Sequence, residues 1–131
     1  MIVVDAKVPA YRYLPGPHTE ADDRLYQQDA EWHAPILWRS EYRNILAGYM
    51  RRGSLTFEQA LAIQHEAEAL LNGAEHEPDS RRVLELVKAS DCSAYDCEFI
   101  ALAEALGVAA VTMDARLIKA FPKIARPLTA V

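Results

Sequence analysis

Four acidic residues stand where carboxylates can act together. Asp5 follows the apolar run IVV and Asp114 follows VAAVTM, so each is predicted to lie at the end of a buried strand. Glu41 and Asp96 are predicted to lie in the first turns of two helices. In open parallel sheets ligands bind outside the carboxyl ends of the strands, so Asp5 and Asp114 are expected to face one crevice.

Convergence of these four carboxylates predicts a metal ion. Like charges brought together raise one another's pKa values unless a divalent cation neutralises them. Oxygen-only ligands favour Mg²⁺ or Mn²⁺, which keep several waters and bridge to phosphate oxygens. Such an ion lowers the pKa of a coordinated water and stabilises a leaving oxygen. The matching chemistry is hydrolysis of a phosphodiester.

Each acid also has a purely structural explanation. Asp96 can complete a capping box with Ser93, and Glu41 can complement a helix dipole, and for either acid alone this explanation is at least as good. For Asp5 and Asp114 it is weaker. A carboxylate after an apolar strand is not needed by the sheet, and its desolvation is unfavourable without a positive group beside it.

The first half of the chain predicts one strand followed by helices. IVV is a short β-branched run typical of a buried strand. Thr19 is predicted to cap a helix that runs to about Trp32, and APIL follows as a short strand or lead-in. An amphipathic helix is predicted from Ser40, with apolar residues at helical spacing up to Met50 and Gly53 at its end.

The second half predicts alternating helices and strands. Thr56 and Gln59 form a capping-box pattern, Asp79 can cap a helix with Val83, Leu84 and Val87 on one face, and Ser93 opens a helix that Gly107 ends. VAAVTM reads as a strand buried on both faces, and KIARPLTAV contains a last short strand. The whole pattern predicts an α/β fold with a central, mostly parallel sheet.

Composition excludes several classes of protein. The 131 residues suit one domain spanning residues 1–131, and the chain contains neither a signal peptide nor a membrane span, so we expect a cytoplasmic protein without membrane contact. The net charge of −5 argues against a uniformly basic nucleic-acid-binding face, although residues 39–53 and 115–131 are net basic. Cys92 and Cys97 match no redox or zinc spacing, and the histidines are expected at the surface or in loops.

Five segments together are similar to one known family. IVVD, APILWRSEYRNIL, RRGSLT, SAYDCEFIALAEALG and VTMDARL resemble PIN-domain proteins of the VapC toxin type, which are small metal-dependent ribonucleases of toxin–antitoxin pairs. The resemblance covers essentially the whole chain and implies a PIN-like three-layer α/β/α sandwich. It also implies Mg²⁺ or Mn²⁺ as the cofactor, RNA as the substrate, a cognate antitoxin as the partner, and a homodimer.

The resemblance carries over to individual residues. The family's metal-binding and catalytic acids match Asp5, Glu41, Asp96 and Asp114. Thr112 matches a position that supports the site by hydrogen-bonding a carboxylate, although β-propensity explains it equally well. Arg116 is a candidate for contacting phosphate, and a solvated helix residue is the better explanation of it. A subset of Trp32, Trp38, Tyr42, Tyr49 and Met50 could supply apolar contacts with the antitoxin or a second subunit.

The chain departs from the family after its first acid. Family members usually carry a small polar residue near the metal there, whereas this sequence has Ala6 and Lys7. Lys7 could bind substrate phosphate, substitute electrostatically, point away, or compete with the cation. A PIN-fold binding or regulatory protein without catalysis is therefore the alternative hypothesis. A third, an aspartyl-phosphate enzyme with Asp5 as the nucleophile, is weaker because it expects an acid at position 7.

Overall fold

Five short parallel strands form one sheet at the centre of the molecule. The computed structural model of the chain describes residues 1–130. The strands are Ile2–Val4 (β1), Trp32–Pro35 (β2), Glu75–His76 (β3), Ala110–Val111 (β4) and Ala125–Arg126 (β5). Their order in the sheet is β3-β2-β1-β4-β5, and each neighbouring pair is parallel. The order therefore reverses between β1 and β4, which leaves a crevice at the carboxyl ends of these two strands.

Helices flank this sheet and confirm the predicted three-layer α/β/α fold. They are Lys7–Tyr13 (α1), Thr19–Gln28 (α2), Trp38–Arg51 (α3), Phe57–Leu70 (α4), Ser80–Lys88 (α5), Ala94–Leu106 (α6) and Ala115–Ala120 (α7), and a 3₁₀ turn spans Leu128–Ala130. The α6 helix packs against β1, β2 and β4, whereas α1 packs against β1 and α3. Within the described residues, no helix is long and apolar enough to cross a bilayer.

The core is built from the strands and the apolar side of α6. Val3, Val4 and Val111 are buried in the two central strands, and Phe99 and Ile100 are buried on α6. Burial of a large aliphatic or aromatic side chain contributes roughly 1.5–3 kcal/mol relative to its exposure. This packing fixes α6, and with it the first turn of α6, against the carboxyl ends of the strands.

Three predicted helix caps are confirmed. The Thr56 hydroxyl accepts a hydrogen bond from the backbone N–H of Gln59, whose side chain accepts one from the Thr56 N–H, so α4 begins with a full capping box. The side chain of Asp79 accepts a hydrogen bond from the backbone N–H of Arg82 and caps α5. The hydroxyl of Ser93 accepts one from the backbone N–H of Asp96 and caps α6. Each such cap stabilises the protein by about 1 kcal/mol.

Other element boundaries differ from the sequence predictions. Thr19 does not cap α2, because its hydroxyl accepts from the Gly16 N–H and donates to the Tyr11 carbonyl. The α2 helix ends at Gln28, and Trp32 begins β2, where its buried indole N–H donates to the Asp29 carbonyl. The α3 helix begins before Ser40, and only Ala110–Val111 of VAAVTM is a strand.

Several predicted surface and core positions are also corrected. Trp32, Trp38 and Tyr42 are fully buried, so they belong to the core and cannot contact a partner. Leu84 is 62% exposed and lies off the packed face of α5, which Val83 occupies.

The cysteines and two of the histidines lie inside the fold. Cys92 and Cys97 are buried free thiols. His33 and His76 lie in β2 and β3 rather than in loops, and their ring nitrogens are 2.8 Å apart. This contact between adjacent strands joins β3 to β2, so these rings act in packing the sheet.

The edge strand β3 was not predicted and is held by an ion-pair network. Arg39 forms two hydrogen bonds with Glu75, and the Trp38 indole N–H donates to the same carboxylate at 2.8 Å. Arg39 also contacts Glu68 on α4. These side chains attach the two-residue strand β3 to α3 and α4. The position of β3 therefore depends more on these side-chain contacts than on its backbone hydrogen bonds with β2.

Asp22 is a buried acid on α2. The side chain is fully buried, and neither carboxylate oxygen has a hydrogen-bond partner among the described residues. Burial raises the pKa of Asp22 to about 7, although the charge of Arg12 opposes this shift. The folded protein therefore favours the protonated form of Asp22.

Asp22→Asn is expected to flatten the pH dependence of stability. The folded state keeps the Asp22 proton up to about pH 7, whereas an unfolded aspartate loses it near about pH 4. The wild-type free energy of unfolding should therefore fall as pH rises between these values. Urea unfolding at intervals across this range should show a shallower fall in Asp22→Asn. The exposed Asp91 gives the control, Asp91→Asn, and equal slopes in the wild type and Asp22→Asn would contradict the assignment.

Candidate functional site

The crevice at the carboxyl ends of β1 and β4 is an acidic cleft. Its volume is about 330 Å³, and it is lined by Asp5, Glu41, Asp96 and Asp114 together with Ala6, Lys7, Asn44, Ile45, Phe99 and Leu117. The four acids come from the end of β1, from α3, from α6 and from the start of α7. The structure thus places all four acids predicted from the sequence around one cavity.

Asp5 is held by two hydrogen bonds. Its Oδ1 accepts from the backbone N–H of Lys7 at 2.9 Å, at the start of α1. Its Oδ2 accepts from the Thr112 hydroxyl at 2.5 Å. Burial raises the pKa of the Asp5 carboxyl, and the hydrogen bonds from Thr112 and Lys7 partly offset that rise. Asp5 therefore has a fixed side-chain rotamer and a weakened preference for the charged form.

Thr112 joins the ends of the two central strands. Its side chain is buried just beyond β4, and the same hydroxyl that donates to Asp5 accepts a hydrogen bond of 3.0 Å from the backbone N–H of Asp114. One hydroxyl thus fixes the positions of two acids of the cleft. This contact is the one expected of a residue that supports carboxylates from behind.

Asp114 caps the α7 helix. Its Oδ1 accepts a hydrogen bond of 2.9 Å from the backbone N–H of Arg116. The side chain therefore both begins a helix and lines the cleft, so its structural explanation is stronger than the sequence suggested. The Arg116 side chain is exposed on the first turn of α7 and lies outside the set of residues that line the cleft.

Asp96 reaches the cleft from the first turn of α6. Its backbone N–H, rather than its carboxylate, completes the cap by donating to the Ser93 hydroxyl at 3.1 Å. The carboxylate lines the cleft instead, at the helix end where the macrodipole favours negative charge. The cap and the cleft thus use different atoms of the same residue.

Glu41 has a strongly perturbed environment in the cleft. Its Oε1 is buried without a hydrogen-bond partner in the described residues. The pKa of Glu41 rises to about 7, first because of burial and then because of the charges of Asp5 and Asp96, while Lys7 opposes the rise. A carboxyl with this pKa can exchange a proton near neutral pH.

The acids share the cleft without forming a closed cage. In residues 1–130, no group of three His, Cys, Asp or Glu side chains is arranged so as to hold a metal ion. Mg²⁺ commonly binds through one or two carboxylates and keeps its other ligands as water or phosphate oxygens. An open arrangement of carboxylates therefore suits ions of this kind better than zinc, whose structural sites are closed by four protein ligands.

Comparison with known proteins decides the family. The sequence model of the PIN domain matches residues 2–125. The chain belongs to the PIN-domain family. One relative, named Ribonuclease VapC3, from Pyrobaculum aerophilum, is 29% identical to this PIN domain over 139 aligned positions, which cover 96% of this chain and 98% of the relative.

Solved structures share the fold of this PIN domain at low sequence identity. PAE2754 from Pyrobaculum aerophilum superposes with a TM-score of 0.77 at 19% identity, covering 98% of this chain and 91% of that one. FitAcB from Neisseria gonorrhoeae gives a TM-score of 0.77 at 15% identity over the whole of both chains. FitAB bound to an IR36 DNA fragment gives 0.74 at 15% identity, covering 100% and 97%.

Sequence reasoning missed part of the cleft in this PIN domain. Asn44, Ile45, Phe99 and Leu117 line it but were not predicted as site residues. Asn44 lies three residues after Glu41 on α3, a spacing that places the two side chains on one face. The helical spacing was thus the available signal for Asn44, whereas the apolar residues resemble ordinary core positions.

Replacement of Thr112 tests its link between the strands. Thr112→Val should lower the free energy of unfolding by about 1–3 kcal/mol, because it removes a donor to Asp5 and an acceptor for Asp114. Thr112→Ser keeps the hydroxyl and should recover most of this loss. Urea unfolding of the three proteins measures the effect. A larger loss in Thr112→Ser than in Thr112→Val would assign the role of Thr112 to its methyl group rather than to its hydroxyl.

Proposed function

We propose that this PIN domain is a metal-dependent endoribonuclease and the toxin component of a VapBC-type toxin–antitoxin pair. The observation that carries the proposal is the meeting of four carboxylates in one cleft at the point where the strand order reverses. The relative named Ribonuclease VapC3, which aligns along almost the whole chain, supports RNA as the substrate.

Hard oxygen donors in the cleft suit Mg²⁺ or Mn²⁺. Asp5, Asp96 and Asp114 would hold the ion, and the buried, unpartnered Oε1 of Glu41 is the donor whose environment most needs a positive charge. When bound, such an ion makes water more acidic and stabilises charge on the phosphate oxygens.

The side chains of the cleft have separate roles in this proposal. Glu41, which lines the cleft beside the other acids, orients the attacking water and can accept its proton. Thr112 holds Asp5 and Asp114 in position through its two hydrogen bonds. The exposed ammonium of Lys7, at the edge of the cleft, binds a phosphate of the RNA.

The proposed partners follow from the charge of the cleft. A cognate antitoxin that places an arginine among these carboxylates would neutralise them and block access to RNA. We also propose a homodimer acting in the cytoplasm, on the basis of the similarity to VapC-type proteins.

Lys7 favours a second candidate function. Its ammonium lines the cleft and its charge acts on Asp5 and Glu41, so it occupies space near the carboxylates that a cation would use. If this ammonium replaces the metal, the protein is a PIN-fold binding or regulatory protein without catalysis. Metal-dependent cleavage of RNA separates the two functions.

Asp96→Asn is expected to abolish RNA cleavage. Purified wild type should cleave at least one member of a panel of structured RNAs, including transfer RNAs, in Mg²⁺ or Mn²⁺ but not in EDTA. Loss of one carboxylate from the cleft should slow cleavage by roughly 100-fold or more, because several kcal/mol of charge stabilisation is lost. The matched control is Asp91→Asn. Asp91 is exposed and lies outside the cleft, so this variant should cleave RNA as the wild type does.

The opposite result would support the second candidate. If wild type with intact fold cleaves no RNA in any metal, the binding function is favoured. Lys7→Ser then becomes the informative variant, since it removes the competing ammonium, and cleavage gained by this variant would identify Lys7 as the cause.

Metal binding has a test that does not depend on catalysis. Mn²⁺ should raise the Tm of wild type by several degrees, because a ligand that binds only the folded state stabilises it. Glu41→Gln should be more stable than wild type at pH 8 without metal, since repulsion from Asp5 and Asp96 is relieved, and should gain less from Mn²⁺. The exposed Glu66 on α4 provides the control, Glu66→Gln. Equal Mn²⁺ shifts in all three proteins would count against a site at Glu41.

A further inference from the structure

A second cavity opens beside the acidic cleft, between α1 and α3. It has a volume of about 220 Å³ and is lined by Lys7, Ala10, Tyr11, Leu14, Ile45 and Tyr49. We call it the tyrosine groove. Lys7 and Ile45 line both cavities, so the groove adjoins the cleft.

The walls of the tyrosine groove are fixed by the core. The Tyr42 hydroxyl donates a hydrogen bond of 3.3 Å to the Pro9 carbonyl, which ties α3 to α1. Ala10 and Leu14 are buried on the α1 side. The groove thus exists without a ligand, and a molecule entering it does not have to separate the helices.

Both tyrosines of the groove are partly exposed, and each already contacts another planar group. The Arg52 guanidinium lies 4.5 Å from the centre of the Tyr49 ring, and the His18 ring is 4.7 Å from the Tyr11 ring. A Cβ at Gly48 would come within 3.3 Å of the Arg52 side chain, so glycine leaves room for this stacking.

Charge around the groove differs from charge in the cleft. Lys7 lines both the groove and the cleft, and the Arg52 guanidinium lies over the Tyr49 ring. The cleft, in contrast, is lined by four carboxylates. Burial raises the pKa of the Tyr11 hydroxyl, with further contributions from the charges of Asp5 and Tyr49, which shows that this ring lies within electrostatic reach of the cleft. An apolar, aromatic cavity with a cationic rim suits an uncharged planar group attached to a phosphate.

We propose that the tyrosine groove binds one unpaired base of the RNA whose scissile phosphate lies in the acidic cleft. The base stacks on the tyrosine rings, and Lys7 contacts the phosphate that joins the base to the scissile position. Aromatic side chains bind bases of single-stranded nucleic acid by such stacking, with little preference for sequence. The proposal rests on the proposed ribonuclease function and adds a subsite for one base beside the scissile phosphate.

The test compares binding of two RNA strands that differ only in their bases. The probes are a fluorescein-labelled oligouridylate of about 12 nucleotides, which spans a typical single-stranded site, and an abasic strand of the same length and charge. Fluorescence anisotropy is measured in Mg²⁺ with Asp96→Asn as the parent, so that binding is read without cleavage. The variants Tyr49→Leu and Tyr11→Leu are added to this parent, with Phe57→Leu as the matched control.

Base stacking predicts a specific pattern. Tyr49→Leu should weaken binding of the oligouridylate by roughly 5- to 100-fold and leave the abasic strand unchanged. Tyr11→Leu should give the same base-dependent loss of affinity. Circular dichroism checks the fold of each variant, and the second variant keeps the test valid if the first one misfolds. Phe57 is 54% exposed on α4 and lines neither the cleft nor the groove, so Phe57→Leu should bind both strands as the parent does.

Other outcomes overturn the assignment. Oligouridylate binding that is unchanged in both folded tyrosine variants excludes a base subsite, and equal weakening of both strands assigns the effect to charge. Unchanged RNA binding with loss of antitoxin binding assigns the groove to a protein partner. If wild type still cleaves RNA in these cases, only the groove assignment fails. If wild type neither binds nor cleaves any RNA, the ribonuclease proposal fails as well.

Discussion

The hydroxyl of Thr112 joins the two halves of the sheet at the place where the cleft forms. The strand order reverses between β1 and β4, which pair directly with each other. The acids that follow these two strands are positioned by this pairing and by contacts at the strand ends. Thr112 donates to Asp5 and leaves its oxygen to accept from Asp114. Thr112 thus fixes the carboxylate of Asp5 and the backbone of Asp114, so both acids are held in position where they line the cleft.

Repulsion among the acids gives the cleft its chemistry. Burial raises the pKa values of Asp5 and Glu41, and the charges of Asp5 and Asp96 raise that of Glu41 further, so the cleft is least stable when all its acids are charged and no cation is near. Positive groups of very different kinds can relieve this: a divalent ion, the Lys7 ammonium or an arginine from a partner. The same electrostatic constraint thus supports catalysis and offers a means of inhibition.

The sequence predicted those features that depend on local chemistry. The caps at Thr56, Asp79 and Ser93 were found because each uses a side chain within three residues of its helix. The sequence did not predict β3, whose two polar residues carry no strand pattern and are held by distant Arg39, nor the end of α2, where tertiary burial of Trp32 overrides helical spacing. The meeting of the four acids around one cavity was predicted from residue type and position, whereas Asn44 and the tyrosine groove depend on how α1 and α3 pack.

The contact between Asp5 and Thr112 joins residues that are 107 positions apart in the chain. A ribosome that adds about 5–20 residues per second needs roughly 5–20 s to make the intervening segment. Throughout that interval β1 lacks its β4 neighbour, and the cleft has neither Thr112 nor Asp114. Until residue 114 has been made, a nascent chain cannot assemble the four-acid cleft. The topology delays assembly of the cleft until after residue 114 has been synthesised.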